Sequence, residues 1–506
     1  MLILIILFVL CFLICFRLLN FKRNLPKGLK ECPLVKSWPI VGILPQIKAP
    51  MYDFFMKLAK TYGPIYRIRF GMREMVILNN DDLVRKALVN NSDSFSGRST
   101  TQKYTFLCMN SGIIFLDNHV WSIQRPFLSK VLRDFGMGNC KSVEIAQSEC
   151  LMLLDDLAKK GGQSVDVKNL FYDCTANIIA KFVMNKRVTS TDSLFRLMKD
   201  MQNRIVKQKD LVQFFLLMFP IFDSWDWFNR FFVFITFRHR IFERIHVKWQ
   251  EVIEDHLKTV DFDCEGDDLI ERFLIKKNQL LQQEKSVKTF TDMQLIRNSL
   301  ELFVAGFDTT ATTLVWSMMF MAKHIKIQEQ VYDEIIDKIG KERLPTLSDK
   351  KSLSYTQAVI DEILRMSSVA PMAIIHRTTK DAVVDGYFIP ENTLIIPNIY
   401  ACHYDPKIWE TPNEFSPNHF LSKNSTGELK YKAREELIPF SLGKRQCLGE
   451  SLARTEFFIF FTTILQRFRV QFSKPLSDSD YRSAIRGNDG VLRVCSVTDY
   501  SFEIRD

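Results

Sequence analysis

The stretch that decides the fold is Phe440–Glu450, FSLGKRQCLGE, which is followed by an apolar helical run. Cys447 lies in a glycine-bounded loop just before a predicted helix N-terminus, where the helix dipole and free N–H groups stabilise a thiolate, and Arg445 adds positive charge nearby. With no neighbouring Cys or His this thiolate cannot complete a zinc site, but it can be the single protein ligand of haem iron. Gly443 and Gly449 allow the backbone to approach a flat macrocycle closely. The alternative is that Cys447 is one more buried thiol.

The composition is that of an ordinary globular protein. Of 506 residues, 47% are hydrophobic and 25% are charged, which excludes a disordered chain, a collagen-like repeat and a small disulfide scaffold. The mean hydropathy of −0.04 argues against a polytopic membrane protein. The 68 basic and 58 acidic residues leave a net charge of +10, which suits an acidic partner or an anionic membrane surface and is too diffuse to indicate nucleic-acid binding. The 42 phenylalanines indicate a large aromatic core or an apolar ligand.

The N-terminus predicts a membrane anchor. Residues 1–16 carry no charged side chain and the apolar character resumes after Arg17, so that residues 1–21 just reach the length that crosses a bilayer. A cleaved signal peptide is the alternative, but positive charge follows the apolar segment and no small-residue cleavage site is present. The positive-inside rule then places the body in the cytosol. Two phenylalanine-rich stretches, 214–222 and 231–237, are either buried core or a surface that dips into the bilayer.

A stiff, proline-rich linker is predicted at residues 22–42, where Pro26, Pro33 and Pro39 resist helix formation. The remaining residues, 43–506, form one predicted domain. The eleven cysteines are an odd number without a CxxC pair, and a cytosolic body keeps them reduced.

The hydrophobic pattern predicts a mainly α-helical body with a minor β component. Strand-like segments at 65–70 and 75–78 flank Gly71 and predict a hairpin, and the pattern from about 82 to 368 is mostly helical. The longest helix begins near Thr291, where Thr291-x-x-Gln294 resembles a capping box, and runs to about His324. At about 50 Å it must pass through the middle of the body. The other predicted segments are a helix at 354–366 and strands at 382–389, 393–396 and 491–504.

The pattern Phe440-x-x-Gly443-x-Arg445-x-Cys447-x-Gly449 resembles the haem-binding loop of the cytochrome P450 superfamily, and further motifs agree in order along nearly the whole chain. The resemblance implies the cytochrome P450 fold with a long central helix. It implies haem b whose iron is ligated by Cys447, O2 as co-substrate, and NADPH used by a partner protein. It also implies cofactor contacts from Phe440, Gly443, Arg445 and Gly449.

A second motif, AGFDTT at residues 305–310, lies in the middle of the long predicted helix. Ala305 and Thr309 are four residues apart and share one face. Gly306 weakens the helix locally, and a threonine hydroxyl can bond an upstream carbonyl, which opens a slot for dioxygen and water. The resemblance implies that Asp308 and Thr309 relay protons to bound oxygen. Taken alone, a threonine-rich helix is more often plain packing.

A third motif is Glu362-x-x-Arg365, an i,i+3 ion pair of a kind that is usually solvated and contributes little. The resemblance implies that this pair is a buried structural support of the cysteine loop, completed by a motif at residues 417–420. His419 stands there where many relatives carry arginine. The sequence therefore predicts a network that is weaker or pH-sensitive.

A fourth motif is Trp121-x-x-x-Arg125, on a helix predicted to open at Asn118. Haem carries two propionates that need cationic or N–H donors. Pro126 departs from the expected pattern and predicts a kink beside Arg125. The resemblance assigns the propionates to five residues, the last two less specifically: Trp121, Arg125, Arg445, Arg98 and His376.

The resemblance also implies an apolar substrate pocket. Its lining would come from the long helix, from the segment after the 354–366 helix, from the loop before residue 118 and from the C-terminal strand. A fatty acid, a steroid or a xenobiotic fits such a lining. Seven residues are carried over by position, each as compatible with the core: Phe106, Ile114, Phe303, Ala305, Ala370, Ile374 and Val491.

The sequence as a whole predicts a haem-thiolate monooxygenase domain at 43–506 that inserts one oxygen atom into an apolar small molecule. Because the chain has no GxGxxG nucleotide fingerprint, its electrons come from outside. The resemblance implies an NADPH-dependent flavoprotein reductase in the endoplasmic reticulum membrane, with cytochrome b5 as an optional second donor. Val131–Gly138 is similar to the microsomal branch that oxidises drugs and lipids, and Lys130 and Arg133 could face an acidic electron donor or simply form a solvated basic face.

Two other functions stay open at this point. A haem-thiolate isomerase or dehydratase uses the same fold without activating dioxygen, although such enzymes often alter the acid–alcohol pair that is intact here. A non-catalytic haem protein that senses or stores a ligand is the second.

Overall fold

The structure is a computed structural model that describes residues 25–47, 50–98, 112–135, 140–189, 191–207, 218, 227, 237–425, 427–487 and 490–505. The predicted anchor at 1–21, most of the two phenylalanine-rich stretches and Phe106 lie outside these residues. Among the helices of the described residues, none is long and apolar enough to cross a bilayer.

Helices form most of the described chain, as the sequence predicted. A π-helical turn, Lys86–Asn90, directly follows the second helix. In chain order the helices are α1 Met51–Tyr62, α2 Asp81–Arg85, α3 Asn118–Asp134, α4 Cys140–Lys159, α5 Val167–Met184, α6 Ser193–Lys207, α7 Phe237–Thr259, α8 Leu269–Gln282, α9 Asp292–Lys323, α10 Ile325–Lys338, α11 Ser354–Ser367, α12 Ile399–His403, α13 Glu450–Arg467 and α14 Asp478–Arg486.

The strands are short and form small sheets. They are β1 Lys30–Glu31, β2 Ile65–Phe70, β3 Arg73–Leu78, β4 Gly97–Arg98, β5 Val165–Asp166, β6 His376–Arg377, β7 Ala382–Val384, β8 Tyr387–Ile389, β9 Leu394–Pro397, β10 Leu421–Lys423, β11 Leu429–Tyr431, β12 Phe468–Phe472 and β13 Asp499–Ile504. The sheet orders are β2-β3-β9-β6-β4, β1-β8-β7, β12-β13-β5 and β10-β11.

The five-stranded sheet positions part of the site. Its β2 and β3 form the predicted antiparallel hairpin, with Ile65 opposite Leu78, and β9 runs parallel to β3. At its other edge β4 pairs with β6, which sets Arg98 directly opposite His376. Two of the predicted propionate contacts are therefore neighbours by strand register.

The helix α9 runs through the centre of the core. The hydroxyl of Thr291 accepts a hydrogen bond from the Gln294 N–H at 3.1 Å and caps its start, and the helix ends before His324, as predicted. Its 32 residues extend about 48 Å. Residues on nearly every face of α9 are buried, because α5, α13 and other elements pack against it. This arrangement confirms the predicted long central helix.

Residues 25–42, most of the predicted stiff linker, pack onto the body. β1 pairs in parallel with β8, and the side chains of Cys32 and Val35, just beyond it, are buried. The N–H of Val35 donates to the Arg67 carbonyl at 3.0 Å, which ties this segment to β2.

Two predicted strands differ from the structure. Residues 382–389 form the hairpin β7–β8, because Asp385 and Gly386 have φ of 52° and 80°, the left-handed pair that a tight two-residue turn requires. Within 491–504 only Asp499–Ile504 is a strand. In the preceding segment, the fully buried guanidinium of Arg493 donates to the Ser367 carbonyl at 2.8 Å. This side-chain hydrogen bond, not a backbone ladder between strands, ties the segment to the body.

Candidate functional site

The cysteine loop connects a short 3₁₀ turn, Gly443–Arg445, to the N-terminus of α13, and the Cys447 N–H donates to the Phe440 carbonyl at 3.0 Å. Cys447 keeps accessible surface although the protein around it desolvates the thiol. Burial raises the pKa of the Cys447 thiol above its ordinary value, and the charge of Glu450 adds to this shift, whereas the Gly449 N–H and the nearby Arg125 oppose it. The loop thus offers an accessible cysteine with two neighbours that would stabilise a thiolate.

The two loop glycines serve different purposes. Gly443 has a φ of +74°, and a Cβ there would lie 1.8 Å from the Leu88 carbonyl oxygen, so this glycine is required by the π-helical turn beneath the loop. This packing gives Gly443 a structural reason in addition to the predicted contact with a macrocycle. Gly449 has no atom within 4 Å of the corresponding position, which leaves open space beside Cys447. The Arg454 guanidinium lies over the Phe440 ring, with its Cζ atom 4.8 Å from the ring centre.

A cationic cluster lies next to the loop. The Arg445 guanidinium stacks 4.0 Å above the Trp121 ring and donates to Asp117 at 3.1 Å. Burial lowers the pKa of Arg445 to about 10. Within the described residues, Nη1 of Arg445 and Nε1 of Trp121 are buried without a hydrogen-bond partner. Two orphaned buried donors are costly unless an acceptor group is bound there.

Arg98 and His376 extend this cluster from the sheet edge. Arg98 donates to the carbonyl oxygens of Ile114 at 3.2 Å and Ile374 at 3.0 Å, and His376 lies 2.8 Å from the Phe95 carbonyl through Nδ1. Burial and then the neighbouring Arg445 lower the pKa of Arg98, and burial and then Arg98 lower that of His376. The two desolvated arginines, Arg98 and Arg445, therefore favour the binding of an anionic group.

The helix α3 brings Trp121 and Arg125 to the same place. Despite Pro126, it runs from Asn118 to Asp134 as one helix, so the proline does not displace Arg125. The Arg125 guanidinium donates to the Gln446 carbonyl and lies close enough to Cys447 to favour the thiolate.

These residues fit haem. An accessible thiol, open space beside it, two orphaned donors and an excess of desolvated cations match an iron ligand, a flat macrocycle and two propionates.

The middle of α9 has an accessible stripe in an otherwise buried helix. Ala305 is exposed and Thr309 is half-buried, one turn apart on the same face. The Thr309 hydroxyl donates to the Ala305 carbonyl at 2.8 Å, as predicted, yet α9 remains a continuous helix through this turn. Gly306 has a packing reason as well, since a Cβ there would lie 2.5 Å from Ile179 Cδ1 on α5.

The structure does not bring Asp308 and Thr309 to one face. Successive residues of a helix are about 100° apart, and the Asp308 side chain is buried, 2% exposed. Thr309 therefore lies on the accessible stripe, whereas Asp308 lies on a buried side of α9.

The sequence model of the cytochrome P450 family matches residues 32–486. The chain belongs to this family. It is 35% identical over 481 residues to cytochrome P450 2B4 of Oryctolagus cuniculus, covering 94% of this chain and 95% of that protein. It is 36% identical over 450 residues to cytochrome P450 2K4 of Oncorhynchus mykiss, covering 88% and 86%. It is 33% identical over 472 residues to cytochrome P450 2H1 of Gallus gallus, covering 93% of each.

Membership confirms the predicted class of enzyme. Cytochromes P450 are haem-thiolate monooxygenases that use O2 and electrons derived from NADPH. The residue assignments made from the sequence are supported here only by their placement.

Behind the P450 cysteine loop lies a buried ion-pair network. The Arg365 guanidinium contacts both carboxylate oxygens of Glu362 at 2.7 Å, and neither side chain is exposed. His419 Nδ1 lies 3.2 Å from the same carboxylate, and the Ser416 N–H donates to it at 2.8 Å. The histidine thus takes the place expected of an arginine, without a bidentate contact.

The predicted pocket residues are in mixed positions. Ile114, Ala370 and Ile374 are half-buried, and Val491 is exposed. Phe303 is fully buried, with its ring centre 5.6 Å from that of Phe307, so it belongs to the core.

Two functional neighbours were missed from the sequence. Asp117, at the cap position of α3, accepts from the Arg98 N–H at 3.1 Å and from Arg445. Glu301 is buried on α9, where the Ile114 N–H donates to it at 2.6 Å and burial raises its pKa to about 8. Glu301 could have been identified as a candidate from the sequence, because it is a charged residue inside an apolar helical run.

Proposed function

We propose that Cys447 would hold haem iron through its thiolate and that Trp121 and Arg445 would donate to the propionates, with the charges of Arg98 and Arg125 beside them and His376 as a further contact. When bound, haem supplies the iron centre at which one oxygen atom of O2 is transferred to a substrate. The observation that carries this proposal is the accessible Cys447 thiol beside the two orphaned donors of Trp121 and Arg445.

The substrate in this proposal is an apolar small molecule, such as a fatty acid, a steroid or a xenobiotic. The accessible stripe of α9 presents Ala305, and Ile114, Ala370 and Ile374 add half-buried apolar side chains. Because burial raises the pKa of Glu301 to about 8, this carboxyl group does not make the surface anionic at neutral pH.

Proton handling is proposed for Thr309 and Asp308. The Thr309 hydroxyl is positioned at the accessible stripe by its bond to the Ala305 carbonyl, and it can accept a bond from a water while keeping that contact. Asp308 supplies the ionisable group of the next helical position.

The proposed electron donor is an NADPH-dependent flavoprotein reductase, with cytochrome b5 as an optional second donor. Lys130 and Arg133 are exposed on α3, the helix that carries Arg125 to the cysteine loop. An acidic donor docked on them would therefore approach the haem from the thiolate side. Charge reversal of Lys130 and Arg133 should raise the KM for reductase, with Lys326→Glu, exposed on α10, as the control.

The proposed location is the endoplasmic reticulum membrane, with an anchor at 1–21 and the catalytic domain at 43–506 on the cytosolic face. The Met72 N–H donates to the Met218 carbonyl at 2.9 Å, and the Gly71 N–H donates to Val41 at 3.3 Å. These bonds place Met218 close to the segment that contains Trp38 and Val41, which are exposed apolar residues. Deletion of residues before Pro26 should therefore release the protein from membranes only in part.

One experiment tests the function as a whole. Full-length protein is incubated with reductase, NADPH and a panel of lipids and drugs, and products are identified by mass spectrometry under ¹⁸O2. We expect products that carry one labelled oxygen and depend on NADPH. Unlabelled rearranged products without oxygen consumption would indicate the isomerase or dehydratase, and saturable binding without turnover would indicate the non-catalytic haem protein.

A further inference from the structure

A chain of hydrogen bonds connects the buried end of α11 to the segment that precedes the cysteine loop. At its centre is His403, the last residue of α12, whose side chain is fully buried. Its Nε2 atom lies 3.0 Å from the Ile438 nitrogen, and its Nδ1 atom lies 2.8 Å from the Ser368 hydroxyl. The Arg365 guanidinium donates to the His403 carbonyl at 2.8 Å, so the histidine also contacts the buried ion pair.

These partners fix the imidazole in one tautomer. A backbone N–H can only donate, so Nε2 accepts the hydrogen bond from Ile438 and carries no proton. The proton is then on Nδ1, which donates to the Ser368 oxygen, and the Ser368 hydroxyl donates in turn to the Arg365 carbonyl at 2.7 Å. Burial, and then the charge of Arg365, lower the pKa of His403 to about 3, so the ring is neutral at physiological pH.

The Ile438 end of this chain leads to the cysteine. Ile438 is buried, and its carbonyl accepts from the Ser441 N–H at 3.0 Å, which closes the turn 438–441. Ser441 has a φ of 59°, a strained backbone for a residue other than glycine, so the turn depends on support from its surroundings. Within the turn is Phe440, whose carbonyl accepts the Cys447 N–H at 3.0 Å. The position of this acceptor is therefore set by how firmly the turn is held.

We propose that His403 is a positioning residue for the thiolate of Cys447, because its unprotonated Nε2 atom holds the turn whose Phe440 carbonyl accepts the Cys447 N–H. The proposal rests on the iron-binding role proposed above for Cys447. Removal of the imidazole leaves the buried Ile438 N–H without the acceptor that it has in the structure, which is costly. The turn then loosens, and with it the hydrogen bond that orients the cysteine.

The first test reads the tautomer in the wild-type holoprotein. ¹⁵N spectra of the histidine-labelled full-length protein are recorded on its reduced carbon monoxide complex, and the His403 signals are those that disappear in His403→Gln. We expect Nδ1 to be protonated and Nε2 unprotonated, without change between about pH 5 and pH 9, because this ring does not titrate there. The opposite tautomer, or a ring that gains a proton in this range, would overturn the proposal.

The second test compares two substitutions that differ in where they place an acceptor. His403→Gln can bring its amide oxygen to the position of Nε2, whereas the shorter side chain of His403→Asn reaches only that of Nδ1. The readout is the rate at which the reduced carbon monoxide complex loses the Soret band of thiolate coordination in mild denaturant. Loss of the buried acceptor should make this rate about tenfold faster in His403→Asn, and His403→Gln should stay close to wild type. Equal rates in the two variants would overturn the proposal, and loss of haem from His403→Asn alone would support it.

A control variant separates the turn from general instability. Thr356→Val removes a buried hydrogen bond to Glu334 at the other end of α11, about 18 Å from Ser368. It should lower the free energy of unfolding without speeding the loss of the thiolate band, and an equal acceleration would overturn the proposal. If the wild-type protein has no thiolate band, the iron-binding role of Cys447 fails and this proposal with it. If the band is as durable in His403→Asn as in wild type, only the present proposal fails.

Discussion

The buried ion pair between Glu362 and Arg365 allows a prediction with a defined magnitude. Arg365 forms five hydrogen bonds, two to Glu362 and three to the carbonyl oxygens of His403, Pro412 and Glu414, at 2.7–3.1 Å. Arg365→Met removes all of them and leaves the Glu362 carboxylate in the interior with the Ser416 N–H and His419.

Breaking a buried pair on one side costs about 3–5 kcal/mol, because the remaining charge is left uncompensated. The three abandoned carbonyl groups place Arg365→Met at the upper end, about 5 kcal/mol. With about 2.1 cal/mol/K of unfolding entropy per residue over 506 residues, that corresponds to a loss of about 5 °C in Tm. Such a loss is a large share of the 5–15 kcal/mol that stabilises a typical domain.

Thermal melting of purified variants, followed by haem absorbance and by circular dichroism, measures this effect. The matched control is Lys258→Met, which breaks the i,i+3 pair with Asp255 on the exposed surface and should leave Tm unchanged. Glu362→Leu/Arg365→Met removes both charges and should be less destabilised than Arg365→Met alone. A Tm for Arg365→Met within 1 °C of wild type would refute the reasoning, as would a double variant less stable than the single one.

Three further predictions concern other parts of the chain. Gly443→Ala forces a Cβ against the Leu88 carbonyl and should lower the free energy of unfolding by more than about 3 kcal/mol in chemical denaturation. The control is Gly340→Ala, where the backbone is also left-handed but the Cβ has free space, and it should cost about 1 kcal/mol. Equal losses in the two variants would contradict the packing argument. Thr309→Ala should divert NADPH consumption from product to peroxide, and Thr309→Ser should restore coupling. Burial alone would lower the pKa of His256, but its bonds to Asp268 and Val252 raise it above 6.5. Its stabilising effect is therefore full below about pH 6.5 and is lost as the pH rises through the higher folded-state pKa. The Tm difference between wild type and His256→Gln should shrink from about pH 6 to pH 9, and a constant difference would contradict this sign.

The long helix and the first hairpin could be predicted because their signals are local. Thr291 and Gln294 mark the start of α9 within one turn, and Gly71 separates two strands that pair with each other. The single strand predicted at 382–389 is two strands, because Asp385-Gly386 forms a tight turn between them. The Asp-Gly pair is a local hairpin signal, so this turn could have been predicted from the sequence.

The candidate site was predictable where its residues are close in sequence. The loop around Cys447 could be recognised from its own residues, and the resemblance to the family indicated the pair on α3, Trp121 and Arg125. Contacts that join distant elements, such as that of Asp117 with Arg445, carry no local signal. Residues that are adjacent in sequence need not share a helix face. Asp308 lies on a buried side of α9, whereas Thr309 lies on the accessible side.

The most direct test of the account is the absorption spectrum of the purified full-length protein, reduced and treated with carbon monoxide. The account predicts a bound haem whose Soret band has the red shift of thiolate coordination. It also predicts that Cys447→Ser loses this shift while Cys264→Ser, at an exposed cysteine, keeps it. A colourless protein, an unshifted band, or a shifted band that persists in Cys447→Ser would contradict the assignment of Cys447 as the iron ligand.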